Sequence, residues 1–116
     1  MVGARLAVQA RRLQVRPLPL ATFMRESTVE QYLKTQTEAR KGEVRKVVWQ
    51  GRRGAPDRLV MLPVTTGFPP TFVELKAPGK SPRIAQEREF LKMRSLGCRV
   101  VVIDSFEGVD KLLEGI

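Results

Sequence analysis

Asp57, Glu74 and Lys76 are the residues whose types and spacing could do chemistry together. Glu74 and Lys76 lie two apart in the apolar run Phe72-Val73-Glu74-Leu75-Lys76. Asp57 follows the turn Gly54-Ala55-Pro56 and leads into Arg58-Leu59-Val60-Met61-Leu62-Pro63. Between the two runs, Val64-Thr65-Thr66-Gly67-Phe68-Pro69-Pro70 carries glycine and prolines, so the stretch reads as strand, loop, strand, a hairpin. Side chains alternate along a strand, so Glu74 and Lys76 point one way while Val73 and Leu75 point the other. Where the pairing register permits, Asp57 joins them, and two carboxylates and an ammonium converge. Carboxylate oxygens suit a hard divalent cation, and Mg2+ commonly takes one or two of them plus water and substrate phosphate. On the wet face of an edge strand the same residues would be solvated charges and no more. The conjunction of a Pro-Asp turn with Glu-x-Lys inside an apolar strand is what points to chemistry.

Together these pieces resemble the VRR-NUC family of the PD-(D/E)xK nuclease superfamily. The matching segments are Gly54-Ala55-Pro56-Asp57-Arg58, Phe72-Val73-Glu74-Leu75-Lys76, Gln86 in the next helix, and Gly97-Cys98-Arg99-Val100-Val101-Val102-Ile103. The resemblance runs from about Ser27 to the C-terminus. It implies a restriction-endonuclease-like α/β core, ordered α-β-β-β-α-β-α, with a mixed sheet flanked by helices. It implies hydrolysis of DNA phosphodiester bonds by Asp57, Glu74, Lys76, Gln86 and Glu30. Mg2+ or Mn2+ would be held by Asp57, Glu74 and the Leu75 backbone carbonyl, with Glu30 reaching the metal through water. Lys76 would deprotonate or polarise the attacking water, and both readings stay open. As a free-standing short chain, the resemblance further implies a resolvase-like homodimer on branched DNA (Holliday junctions), working inside a cell, in the host cytoplasm if phage-encoded. A flap- or end-processing nuclease is one alternative. A non-catalytic nucleic-acid-binding module that kept the fold is another.

Composition narrows the classes independently. A chain of 116 residues with 42% hydrophobic content supports one small domain with a single core. Its net charge of +9 favours a polyanionic partner, nucleic acid first and an anionic membrane surface second. No basic amphipathic helix stands out, and no apolar run approaches the roughly 20 residues a bilayer span needs, so no membrane partner is expected. Histidine is absent, which excludes Ser-His-Asp and Cys-His chemistry and His-ligated metals. The lone Cys98 can form no intramolecular disulfide, which is compatible with a reducing, intracellular setting. The first 23 residues contain no acid, and Pro17 and Pro19 interrupt any helix there. Residues 1–24 read as a loosely ordered basic arm ahead of one domain over 25–116.

The elements that must position the site follow from pattern. Ser27 as N-cap and Glu30 three residues on fit a capping box. The helix it opens carries Val29, Tyr32, Leu33, Gln36 and Ala39 on one face, with Gly42 as its C-cap. Glu30 has two readings: it caps this helix, or it projects toward the site, with Glu26 as the alternate. Glu43 to Trp49 reads as the first strand, with Trp49 packing in the core rather than stacking on a base. The basic turn Gln50-Gly51-Arg52-Arg53-Gly54 abuts Asp57. Arg52, Arg53, Arg58, Lys80 and Arg83 are the candidates for phosphate contacts. Ser81 as N-cap and Pro82 at the first helical position start a second helix that stops at Gly97. Gln86, Phe90 and Met93 share one face of it. A glutamine on that apolar face needs a partner: a phosphate, a water, Lys76 or backbone. Cys98 to Ile103 is an almost continuous apolar run, so it is expected as a buried strand reached by a parallel crossover. Asp104-Ser105 then starts a short helix whose Val109, Leu112 and Leu113 face the sheet.

Overall fold

The β-rich runs pair as their patterns require. A computed structural model describes residues 25–116, so the basic arm over 1–24 lies outside the described residues. Its order is α1 (Glu26–Ala39), β1 (Glu43–Lys46), β2 (Arg58–Met61), a 3-10 turn (Val64–Thr66), β3 (Thr71–Leu75), α2 (Ile84–Ser95), β4 (Arg99–Ile103) and α3 (Phe106–Leu112). The sheet order is β1-β2-β3-β4. β1 with β2 and β2 with β3 are antiparallel; β3 with β4 is parallel, with α2 as the crossover. This is the α-β-β-β-α-β-α mixed sheet expected from the sequence.

Each sheet face has its own helices. Val29 and Leu33 of α1, and Val109 and Leu113 at the end of the chain, bury against Val60, Val73, Leu75 and Ile103. Phe90 and Met93 of α2 bury against Val100, with Trp49 and Phe72 packed on them. Trp49 is therefore a packing residue, its ring 5.5 Å from that of Phe72 and its Nε1 donating to the Pro56 carbonyl at 2.6 Å.

Several local expectations are corrected. The first helix starts at Glu26 with Arg25 as N-cap and no side-chain cap, so Ser27 and Glu30 form no capping box. Glu30 instead meets a guanidinium, a stronger partner than a backbone amide. The apolar stripe of α1 continues to buried Thr37, and Ala39 is exposed. Lys41, not Gly42, takes the left-handed position after α1, with φ of 68°. Gly42 is needed for space: a Cβ there would stand 2.4 Å from the Met61 carbonyl oxygen. β1 stops at Lys46 rather than Trp49, and Val48 is exposed. The second helix starts at Ile84 with Arg83 as N-cap, two residues inside the Ser81-Pro82 signal. Arg83 is extended there, and its N–H donates to the Gln86 side chain at 2.9 Å, which fixes the start. Ser105 does cap α3, accepting from the Gly108 N–H at 3.0 Å.

Candidate active site

Asp57 and Glu74 meet because of strand register. Arg58 pairs with Val73, so one step further along the antiparallel pair sets Asp57, the residue before β2, opposite Glu74. The Asp57 carbonyl accepts from Val47 at 2.9 Å and so faces β1. That makes Asp57 and Glu74 a non-hydrogen-bonded pair across β2 and β3, the kind in which side chains come closest, Cβ atoms about 4.5–5.5 Å apart. Glu74 and Lys76 share the face that α2 covers. Lys76 Nζ lies 3.3 Å from Glu74 Oε2 and donates to Gln86 Oε1 at 2.9 Å, while Gln86 Nε2 donates back to Glu74 Oε2 at 3.1 Å. Gln86 thus serves a helix start and two charged side chains with a single amide.

The Leu75 carbonyl is aimed by the same ladder. The Lys76 N–H donates to the Ile103 carbonyl at 2.9 Å, and a trans peptide turns the Leu75 oxygen the opposite way, toward β2. Its opposite number there, two steps beyond the Arg58–Val73 pair, is Pro56, which has no N–H to offer. The Pro-Asp turn therefore leaves a strand carbonyl without a ladder donor beside two carboxylates. Those three oxygen donors could hold a hard divalent cation, with water completing its shell. Among the described residues no group of three or more His, Cys, Asp or Glu side chains forms a metal cage, so the protein side chains would supply only part of that shell.

Electrostatics sharpen the picture. Glu74 is 9% exposed. Burial pushes its carboxyl above the usual range, and the charges of Asp57 and Glu26 push it further, while Lys76 pulls it down. Burial, more than neighbouring negative charge, is what disfavours the ionised form of Glu74. Asp57 is half exposed. Gly54 positions this end of the sheet against α2: its φ is +78°, and a Cβ would stand 3.2 Å from the Ala85 carbonyl oxygen and from Gln86 Cα.

The remaining candidates divide by face. Glu30, on α1, hydrogen-bonds Arg58 Nε through Oε2 at 2.8 Å, on the face opposite Asp57 and Glu74. Arg58 is 9% exposed and also reaches Asp57 Oδ1 at 3.1 Å. Arg52 pairs with Glu89 at 2.6 Å. Arg53 and Arg83 are exposed and flank Gly54, Ala85 and Gln86 around a cleft of about 340 Å3. Lys80 is exposed in the turn before α2. The Arg58 link between Glu30 and Asp57 went unread in the sequence; its only local signal is an arginine placed within a strand.

No protein-family profile matches the chain. A protein named "Putative nuclease p44", from Acyrthosiphon pisum secondary endosymbiont phage 1, is 43% identical over 83 residues, 72% of this chain and 86% of that protein. A solved structure of a VRR-NUC domain superposes with a TM-score of 0.67 at 43% identity, covering 78% of this chain and 95% of that one. The identity extends over most of both relatives and the fold is common to this chain and the solved domain: this chain belongs to the VRR-NUC family of nucleases.

Proposed function

We propose that this protein is a Mg2+- or Mn2+-dependent DNA endonuclease that hydrolyses phosphodiester bonds in branched DNA, cutting Holliday junctions as a homodimer. The observation that carries the reading is the register that sets Asp57 opposite Glu74, with the Leu75 carbonyl turned toward Pro56 beside them. Hard oxygen donors in that number fit a cation that keeps several waters and takes a substrate phosphate. When bound, the cation supplies positive charge at the scissile phosphate and makes a nearby water more acidic.

The chain's own residues do the rest. Asp57 and Glu74 hold the cation with the Leu75 carbonyl. Lys76 is kept in place by Gln86 and Glu74, so its ammonium orients the attacking water and offsets charge that develops on the phosphate. Gln86 fixes Lys76 and Glu74 relative to each other. Arg53, Arg83 and Lys80 present exposed charge beside the site and contact phosphates along the strand. One site per chain cuts one strand, so symmetric cutting of a junction needs two copies. The net charge of +9 suits DNA. No helix among the described residues is long and apolar enough to cross a membrane, and an intracellular setting, a host cytoplasm for a phage-borne enzyme, suits a DNA substrate.

The test is cleavage of a four-way junction, a 5′ flap, plain duplex and single strand, with Mg2+, with Mn2+ and with EDTA, beside Asp57→Ala. Metal-dependent symmetric cutting of the junction, absent in Asp57→Ala, is expected. Cutting of flaps or ends alone would replace the resolvase with an end-processing nuclease. Tight, salt-sensitive DNA binding without any cutting would leave a binding module.

A further inference from the structure

Arg58 is an unusual strand residue. It alternates with Asp57, so its side chain belongs to the α1 face while Asp57 belongs to the α2 face. Its guanidinium nevertheless reaches both. Nε donates to Glu30 Oε2 at 2.8 Å, Nη2 approaches the same oxygen at 2.5 Å, and Nη1 meets Asp57 Oδ1 at 3.1 Å and the Asp57 carbonyl at 3.2 Å. All three nitrogens are thus engaged within the protein, and the residue is 9% exposed. A guanidinium so placed cannot offer its fork to a phosphate without breaking these bonds. A buried arginine also needs a counter-charge, and Glu30 supplies it from the next layer.

We propose that Arg58 is a positioning residue for Asp57, and that Glu30 serves the site through Arg58 rather than as a metal ligand. This rests on the proposed metal-dependent reading of the site. Asp57 is half exposed, and its carboxylate would otherwise swing freely. Arg58 restrains it through the 3.1 Å ion pair at Oδ1, which leaves Oδ2 for the cation. Glu30 fixes Arg58 in turn. The α1 carboxylate whose charge reaches Glu74 is Glu26, which agrees with the Glu30 carboxylate being directed to Arg58.

The experiment is a double-mutant cycle on Mn2+ affinity, measured by calorimetry, using Glu30→Gln, Arg58→Met and the double variant, with thermal midpoints recorded alongside. Each single change is expected to weaken Mn2+ binding about tenfold, as loss of a residue supporting a ligand does. The double variant should bind no more weakly than Arg58→Met. Losses that multiply in the double variant would make Glu30 a ligand in its own right and overturn the proposal. So would unchanged Mn2+ affinity with a lowered thermal midpoint, which is a purely structural role. Where Arg58→Met does not fold, Arg58→Lys replaces it, since it keeps the charge and loses the fork. DNA binding in EDTA gives a second readout. Its salt slope should be the same in Arg58→Met and wild type; a slope reduced by about one would make Arg58 a phosphate contact and overturn the proposal. A wild type that binds no Mn2+ would overturn the proposed function and this inference together.

Discussion

The two faces of the sheet are built differently. On the α1/α3 face, buried apolar side chains from two helices and three strands form one continuous cluster. On the α2 face, among the described residues, only Phe90, Met93 and Val100 are buried in a cluster, and Ile84 and Leu91 of the covering helix stand 68% and 63% exposed. The end of that face is occupied by Glu74, Lys76 and Gln86, bonded to one another. Polar groups there take the place of packing. One face therefore carries the larger apolar cluster, and the other accommodates Glu74, whose burial raises its carboxyl against the pull of Lys76. Catalytic groups gain most where the surroundings leave charge unsatisfied, and such groups cost stability that must be supplied elsewhere.

That contrast can be broken or sharpened by substitution. The largest effects belong to the polar face and fall on activity. Lys76→Met should slow single-turnover cleavage roughly 10³-fold, ~4 kcal/mol of barrier, while DNA binding in EDTA and the thermal midpoint stay near wild type. Cleavage that survives in this variant would remove Lys76 from the mechanism. Next come the apolar clusters, read by denaturant unfolding. Leu33→Ala should cost about 2–5 kcal/mol, and Met93→Ala on the thinner face should fall at the low end of that range, where the site collapses more easily. Equal costs would mean that both faces carry the fold alike.

Gly54→Ala probes the joint between the faces. The left-handed φ and the 3.2 Å contacts with the start of α2 predict a stability loss of about 1–3 kcal/mol. They also predict a proportionally greater loss of cleavage, because Gln86 is displaced; a loss of cleavage no larger than the loss of folded protein would show that the turn only supports the fold. The smallest effect lies far from the site. Tyr32 donates to Asp110 Oδ1 at 2.6 Å, and burial, with Asp110 beside it, pushes its hydroxyl up from 10.0 to about 12. A raised value means that the unfolded chain ionises first. The contribution is therefore whole below pH 10 and lost between pH 10 and about 12. Unfolding midpoints against pH should fall in that window for wild type and fall less for Tyr32→Phe.

Much of the architecture was legible along the chain. Alternation and turn residues gave the hairpin, the strand-helix-strand order gave the parallel crossover, and Gly97 marked the end of α2, where φ is +96°. The burial expected of the apolar run at β4 is only partial, because β4 lies at the sheet edge and Val102 is exposed. Helix starts were less legible. Ser27 and Ser81-Pro82 carry the composition of caps, but Glu30 bonds Arg58 and Gln86 bonds Arg83, Lys76 and Glu74. Local propensity is worth about 1 kcal/mol at a cap, and charged partners from distant segments outweigh it. Gly42 shows the same limit: its position looked like a cap, and its reason is the Met61 carbonyl across the β1–β2 pair.

By itself the sequence determined which residue types could act and that Glu74 and Lys76 share a face, because a strand repeats every two residues. It also determined that Pro56 has no N–H. Only the tertiary structure decided that Asp57 falls opposite Glu74, that the Leu75 carbonyl turns toward Pro56, and that Glu30 answers to Arg58. Those outcomes depend on register and on which helix lies over which face, and both are set by long-range packing that no local window of sequence contains.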